Sequence, residues 1–238
     1  MTILVSFKGG LFMQFNLDPK VTDLGVVIDG VEISGVDNSH YPKELSDYIN
    51  EEVTKILADL DADKIKSSPI IQGFFDLHKR INLPKRNNRP SPETLLKLIL
   101  KRGELFQINP VVDLYNVISI KSQLALGAHD IDYIVGDVNL RITTGNEKFV
   151  PIGTNNEPQP VKAGEYGYID DDNEVICHLE TRQVEKTKVT PATNHIFYIV
   201  QGNAATSQEY VDQIANELLV LTTKYLGGQG KLLTIHSL

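Results

Sequence analysis

Two hydrophobic periods divide this sequence, and their order constrains the fold more than any other feature. Before residue 120 apolar residues recur at steps of three and four. Leu45, Tyr48, Ile49, Val53, Ile56, Leu57 and Leu60 predict a helix over 42–60. Three further helices are announced by a capping residue followed by proline: Ser67 or Ser68 with Pro69, Ser91 with Pro92, and Asn109 with Pro110. Around these helices, 2–7, 13–17 and 24–28 read as strands. Beyond residue 130 the period shortens. Residues 138–142, 147–151, 166–169, 174–179 and 195–201 are short β-rich runs, several joined by turn formers such as Thr144-Gly145-Asn146 and Asp171-Asp172-Asn173. Thr206 and Glu209 have capping-box spacing ahead of a stripe through Val211, Ile214 and Leu218, Gly227-Gly228 closes that helix, and 232–235 reads as a last strand. Helices and strands segregate instead of alternating, so the expected class is α+β, not a doubly wound α/β sheet.

Of the 238 residues, 41 % are apolar and 23 % charged, ordinary globular usage that excludes wholesale disorder and fibrous repeats. Cys177 is the lone cysteine, so no internal disulfide is available, and no Cys/His group has zinc spacing; no metal is expected. The paired glycines Gly9-Gly10 and Gly227-Gly228 lack the Lys-Ser/Thr partner of a phosphate loop, and no cofactor is expected. The first apolar stretch has no basic leader and breaks at Lys8-Gly9-Gly10. No window approaches the length of a membrane span, so the expectation is a soluble, cytoplasmic chain with no membrane contact.

Charge is distributed unevenly. Between Lys79 and Arg102 stand eight basic residues (Lys79, Arg80, Lys85, Arg86, Arg89, Lys97, Lys101 and Arg102) against one acid, Glu93. That stretch carries +7 within a chain of net −8, which leaves −15 for the remainder. One face meeting a polyanion explains the pattern; basic side chains decorating helix surfaces explain it too. Other motifs are also open to two readings. His129-Asp130-x-Asp132 is either a general base with an orienting carboxylate or a capped turn. Asp170, Asp171 and Asp172 are either metal ligands or exposed acids of a hairpin turn. Cys177 and His178, adjacent on a strand, point to opposite faces and cannot act on each other.

From Arg89 to Gly153 the sequence resembles the tRNA-editing (B3/B4) domain in the β subunit of phenylalanyl-tRNA synthetases. Ile108-Asn109, Val112-Asp113, Asn116, Leu126, Ala128 and Asp130 fall in order where that domain carries its Ile-Asn, Val-Asp, Asn and Leu-His-Ala-Phe-Asp run. Arg141 and Glu147 match its Arg and Gly-Glu strand pair, and Glu165, Asp170, Val189-Thr190 and Thr193 continue the likeness to about residue 205. The resemblance implies a β-rich core, mixed-sheet or barrel-like, flanked by helices. It also implies an amino-acid-sized pocket, and contact with the acceptor end of a tRNA or an aminoacyl-tRNA, not with DNA. The expected organisation is an editing-domain unit over 67–238 with a strand-and-helix extension, 1–66, packed on it.

Three pocket residues of the synthetases are replaced. Their Arg falls on Phe106, their His on Gly127 and their strand Glu near Ile199. A site built around a phenolic hydroxyl loses its partners by such changes, so tyrosine specificity is not implied. Two functions remain: hydrolysis of a mischarged aminoacyl-tRNA in trans, as an ester hydrolase, or a non-catalytic module binding RNA or an amino-acid-like ligand. Aminoacylation is not expected. The catalytic candidates are His129, Arg182, Glu185 and Thr187. Phe106, Asn109, Gly127, Arg141 and Thr193 are the pocket candidates, and Lys79, Arg80, Lys85, Arg86, Arg89, Lys101 and Arg102 the RNA-contacting ones. Structural roles compete: a helix cap for Asn109, and a cross-strand ion pair for Arg141 and Glu147.

Overall fold

The computed structural model describes residues 13–85 and 88–238; the strand expected at 2–7 and the side chain of Arg86 lie outside them. In chain order the elements are β1 (Phe15–Leu17), α1 (Pro19–Asp23), β2 (Val27–Ser34), α2 (Lys43–Leu57), α3 (Ala62–Ser67), α4 (Pro69–Arg80), α5 (Ser91–Arg102), α6 (Pro110–Ser122) and β3 (Ala125–Asp130). Then follow β4 (Val138–Ile142), β5 (Tyr166–Ile169), β6 (Val175–His178), β7 (Arg182–Gln183), β8 (His195–Gly202), α7 (Gln208–Leu226), β9 (Gln229–Leu232) and β10 (Ile235–Ser237). The expected helix starts hold at α4, where Ser68 Oγ accepts from the Ile71 amide, and at α6, where Asn109 caps Val112 at 3.0 Å. At α5 the cap is shifted: Pro90 precedes the helix and Ser91 is its first residue. Ser207, not Thr206, caps α7. Two short helices, α1 and α3, were not expected, and 147–151 forms only isolated bridges through Lys148 and Pro151.

The strands form two open sheets, ordered β3-β8-β2-β9 and β10-β1-β4-β5-β6-β7; no closed barrel forms among the described residues. The four-stranded sheet is the middle layer. Directly opposed antiparallel residues share a face, so Leu126, Tyr198 and Val31 point one way while Gly127, Ile199 and Gly30 point the other. The first face packs on α2, α4, α5, α6 and α7 around Leu45, Ile71, Leu96, Leu114 and Leu218. The second meets the six-stranded sheet through Phe15, Tyr166, Tyr168 and Leu140. Both faces of β8 are therefore dry, which is why HIFYIVQG reads as a continuous apolar run and not as an alternation.

α4 is docked through Gly73. A Cβ there would collide with the side-chain amide of Asn203, a fully buried group that donates to the Ile70 carbonyl at 2.9 Å and accepts from the Ala205 amide at 3.0 Å. Gly73→Ala is expected to cost about 2–3 kcal/mol, because the buried amide must give up a partner. A urea titration checks this, and an unchanged midpoint would remove Asn203 as the helix's anchor.

Candidate functional site

A concavity of about 650 Å³ opens between the two sheets and falls within the size range of small-ligand sites. One wall is the β3–β8 pair, with Ala125, Leu126, Gly127 and Ile199. Facing it are Tyr168 of β5, Cys177 of β6, and the segment Glu180, Thr181, Arg182 and Gln183 leading into β7. Thr94 and Leu95 of α5 and Tyr115 and Asn116 of α6 close one side, and the loop carrying Pro151, Ile152, Thr154 and Gln159 closes another. Arg89 and Arg182 line the cavity and are exposed, so they stand at its mouth. Neither guanidinium has a hydrogen bond or ion pair among the described residues.

Gly127 explains how this interior is shaped. A Cβ at that position would lie 2.7 Å from Gln183 Nε2, so the amide of Gln183 occupies the volume a side chain at 127 would claim. Gln183 in turn lies beside the Tyr115 hydroxyl and reaches toward the Ala128 carbonyl at 3.5 Å. The space beside residue 127 is thus filled from the opposite sheet by an amide.

Below the cavity runs a buried polar chain. His78 Nε2 lies 2.7 Å from Glu180 Oε1, Tyr166 donates to Glu180 Oε2 at 2.5 Å, Gln201 Nε2 donates to the Tyr166 hydroxyl at 3.1 Å, and Tyr168 donates to Gln201 Oε1 at 2.6 Å. Burial disfavours charge on both ends of the first contact. Their mutual attraction outweighs it, raising the His78 pKa and lowering that of Glu180. Both shifts favour the charged forms of the pair. Cys177 beside them is the opposite case, since burial pushes its thiol up and keeps it neutral.

The sequence-derived candidates separate into two groups. Gly127, Arg182 and Arg89 meet at the cavity. His129, Glu185, Thr187, Phe106, Asn109, Arg141 and Thr193 do not line it. His129 is fully buried, its Nδ1 2.8 Å from Thr187 Oγ1; burial pulls its pKa down to about 3, so the ring is neutral. Asp130 caps the turn at Ile131–Tyr133 and accepts from Thr193 Oγ1 at 2.6 Å, while Asn109 reaches the Val189 carbonyl at 3.4 Å. These side chains pin the segment 187–193 to β3 and α6. Glu185 accepts from the Gly153 amide at 3.2 Å and pairs with Lys188 at 2.6 Å, away from the cavity.

Arg141 pairs with Glu147 at 2.8 Å and with Asn173 Oδ1 at 2.7 Å. Against burial, the Thr144 amide and Arg141 hold Glu147 down to about 2, fixing the turn that follows β4. Asp170 is not an exposed turn acid: it is buried, accepts from the Asp172 and Glu174 amides, and pairs with Lys186 at 3.0 Å. The basic stretch also divides. Arg80 is tied to the Leu24 carbonyl at 3.0 Å, Lys85 lies over the Phe75 ring at 4.6 Å, and Lys97 pairs with Glu93 at 2.6 Å. Lys79 and Lys101 are exposed, and Arg102 covers the ring of Phe106, 3.9 Å from its centre.

A three-layer α+β fold of this kind is shared with an N-terminal fragment of the phenylalanyl-tRNA synthetase β-subunit from Pyrococcus horikoshii. The TM-score is 0.50 at 16 % identity, over 98 % of this chain and 54 % of that one. In sequence, 179 residues are 26 % identical to the phenylalanine–tRNA ligase beta subunit of Mycoplasma genitalium, 75 % of this chain but 20 % of that protein. The chain thus spans about a fifth of its curated relative. The B3/4 domain family model matches residues 79–217, more than half of the sequence, and the protein belongs to that family. No helix among the described residues is long and apolar enough to cross a membrane.

Proposed function

We propose that the cavity binds the aminoacylated 3′ end of a tRNA, with the amino-acid side chain between the sheets and the terminal phosphates at Arg89 and Arg182. The observation that carries this reading is the pair of guanidinium groups, without partners among the described residues, at the mouth of one cavity in a chain of net charge −8. Guanidinium forks suit phosphate oxygens, and two at one opening select an anion with a body small enough to enter. Membership of a family represented in phenylalanyl-tRNA synthetase β subunits supports the choice of tRNA.

A second step, hydrolysis of a mischarged ester in trans, is favoured by the polar wall of Asn116, Thr181 and Gln183, which can orient a water toward an ester carbonyl. No ionised base within the cavity is free for the task, since Glu180 is committed to His78 and Tyr166. The attacking water then bonds to the ester carbon as the bond to the ribose oxygen breaks, and the water's proton is relayed through the neighbouring ribose hydroxyl or solvent to that leaving oxygen. A panel of mischarged tRNAs decides the matter. Ester cleavage that falls at least tenfold in Gln183→Ala supports the hydrolase. Retention of the tRNA with an intact ester leaves a binding module, and absence of binding at low salt removes the reading.

A further inference from the structure

The exposed surface around Phe106 is not used by the cavity. Phe106 is 47 % exposed and Ile108 62 %, and Arg102 lies over the ring. An unburied phenyl ring held flat by a guanidinium resembles half of a stacking sandwich, with its outer edge open to a second planar group. Its position relative to the cavity follows from helix geometry. Ser91, Leu95, Leu98 and Arg102 fall at steps of four, three and four, which sets them along one face of α5. Ser91 and Leu95 line the cavity, so Arg102 stands on the same face about 10 Å beyond Leu95, at 1.5 Å per residue. Ten ångströms is the rise of about three stacked nucleotides of one strand. Lys101 is exposed and has no ion pair among the described residues, and Glu104 is the one acid of the loop between α5 and α6.

Resting on the reading of the cavity as a tRNA 3′-end site, we propose that Phe106 and Arg102 form a second, separate site: a stacking platform for an unpaired base of the RNA strand that leads into the cavity. The chemistry is sequence-tolerant, because every base offers a flat face to the ring and a phosphate to Lys101 or Arg102. The same patch would also serve a second copy of the chain, but the flanking cations favour a polyanion over a protein surface whose net charge is −8.

The test uses the full chain, which contains no tryptophan. Phe106→Trp and Phe106→Ala are titrated with an RNA hairpin bearing an unpaired 3′ overhang and with its blunt twin. Phe106→Ala is expected to weaken the overhang hairpin by about fivefold to about a hundredfold, the cost of one lost base stack, with the salt slope and the blunt hairpin unaffected. Phe106→Trp is expected to bind as the parent does, its fluorescence quenched by the overhang RNA alone. Equal affinity of Phe106→Ala and an unquenched tryptophan overturn the platform. If that binding still depends on Arg89 and Arg182, the cavity reading survives. No RNA binding by the parent protein overturns both. A change of oligomeric state in Phe106→Ala assigns the patch to a second copy and overturns the platform as well.

Discussion

Glu180→Ala is expected to lower the stability of the folded state by about 3–5 kcal/mol, because it breaks a buried pair and leaves both the His78 ring and the Tyr166 hydroxyl without their shared partner. For a chain of this size that is a fall in Tm of about 6–20 °C. The pH dependence gives a sharper signature than the magnitude. Folding lowers the Glu180 pKa, so its share of the stability is complete above the ordinary carboxylate value of 4.5 and is lost as pH falls through the depressed one. Folding raises the His78 pKa, so its share is complete below 6.5 and is lost as pH rises through the elevated one. The pair therefore contributes most between 4.5 and 6.5. Denaturant titrations of parent and Glu180→Gln at pH 5.5 and 8.5 should show a gap that narrows at the higher pH. A gap that stays the same at both pH values would mean His78 is neutral throughout.

Reversing both mouth arginines, Arg89→Glu with Arg182→Glu, is expected to weaken RNA binding by about a hundredfold or more near physiological salt. Each guanidinium that neutralises a phosphate of a single strand adds about 0.7 to the slope of log affinity against log salt, so the double variant should lose about 1.4 of that slope. Both side chains are exposed and hold no partner among the described residues, so folding should be untouched and a thermal melt serves as the control. Lys85→Glu gives the contrast. Its ammonium lies over the Phe75 ring, outside the residues lining the cavity, and its loss should change affinity by less than tenfold. Equal effects at the two places would mean that RNA is held by diffuse charge and that the cavity has no special claim on it.

The parts of this fold that were legible in the sequence are those whose signals are local. Ser68 before Pro69 and Asn109 before Pro110 mark α4 and α6 because cap and first-turn proline act within one helical turn. The YGYI run marks β5, since its aromatic and β-branched residues suit a pleated surface. β3 was missed. Its residues, ALGAHD, have low strand propensity, and they are held extended by pairing with β8 some seventy residues later. The site divides along the same line. Arg89 stood out by charge, and Gly127 and Arg182 by the resemblance, but Gln183 and Glu180 carry no local mark. Glu180 acquires its meaning from His78, and Gln183 from the missing side chain at 127.

The middle sheet has a consequence for how the chain matures. β2 lies between β8 and β9, with Val27 opposite Gly202 and Ser34 opposite Gln229. A growing polypeptide therefore makes β2 well before both of its neighbours, since about 160 residues separate it from β8 and about 190 from β9. A chain released before β8 is made is expected to leave both edges of β2 unpaired and so to aggregate more readily than the complete sheet.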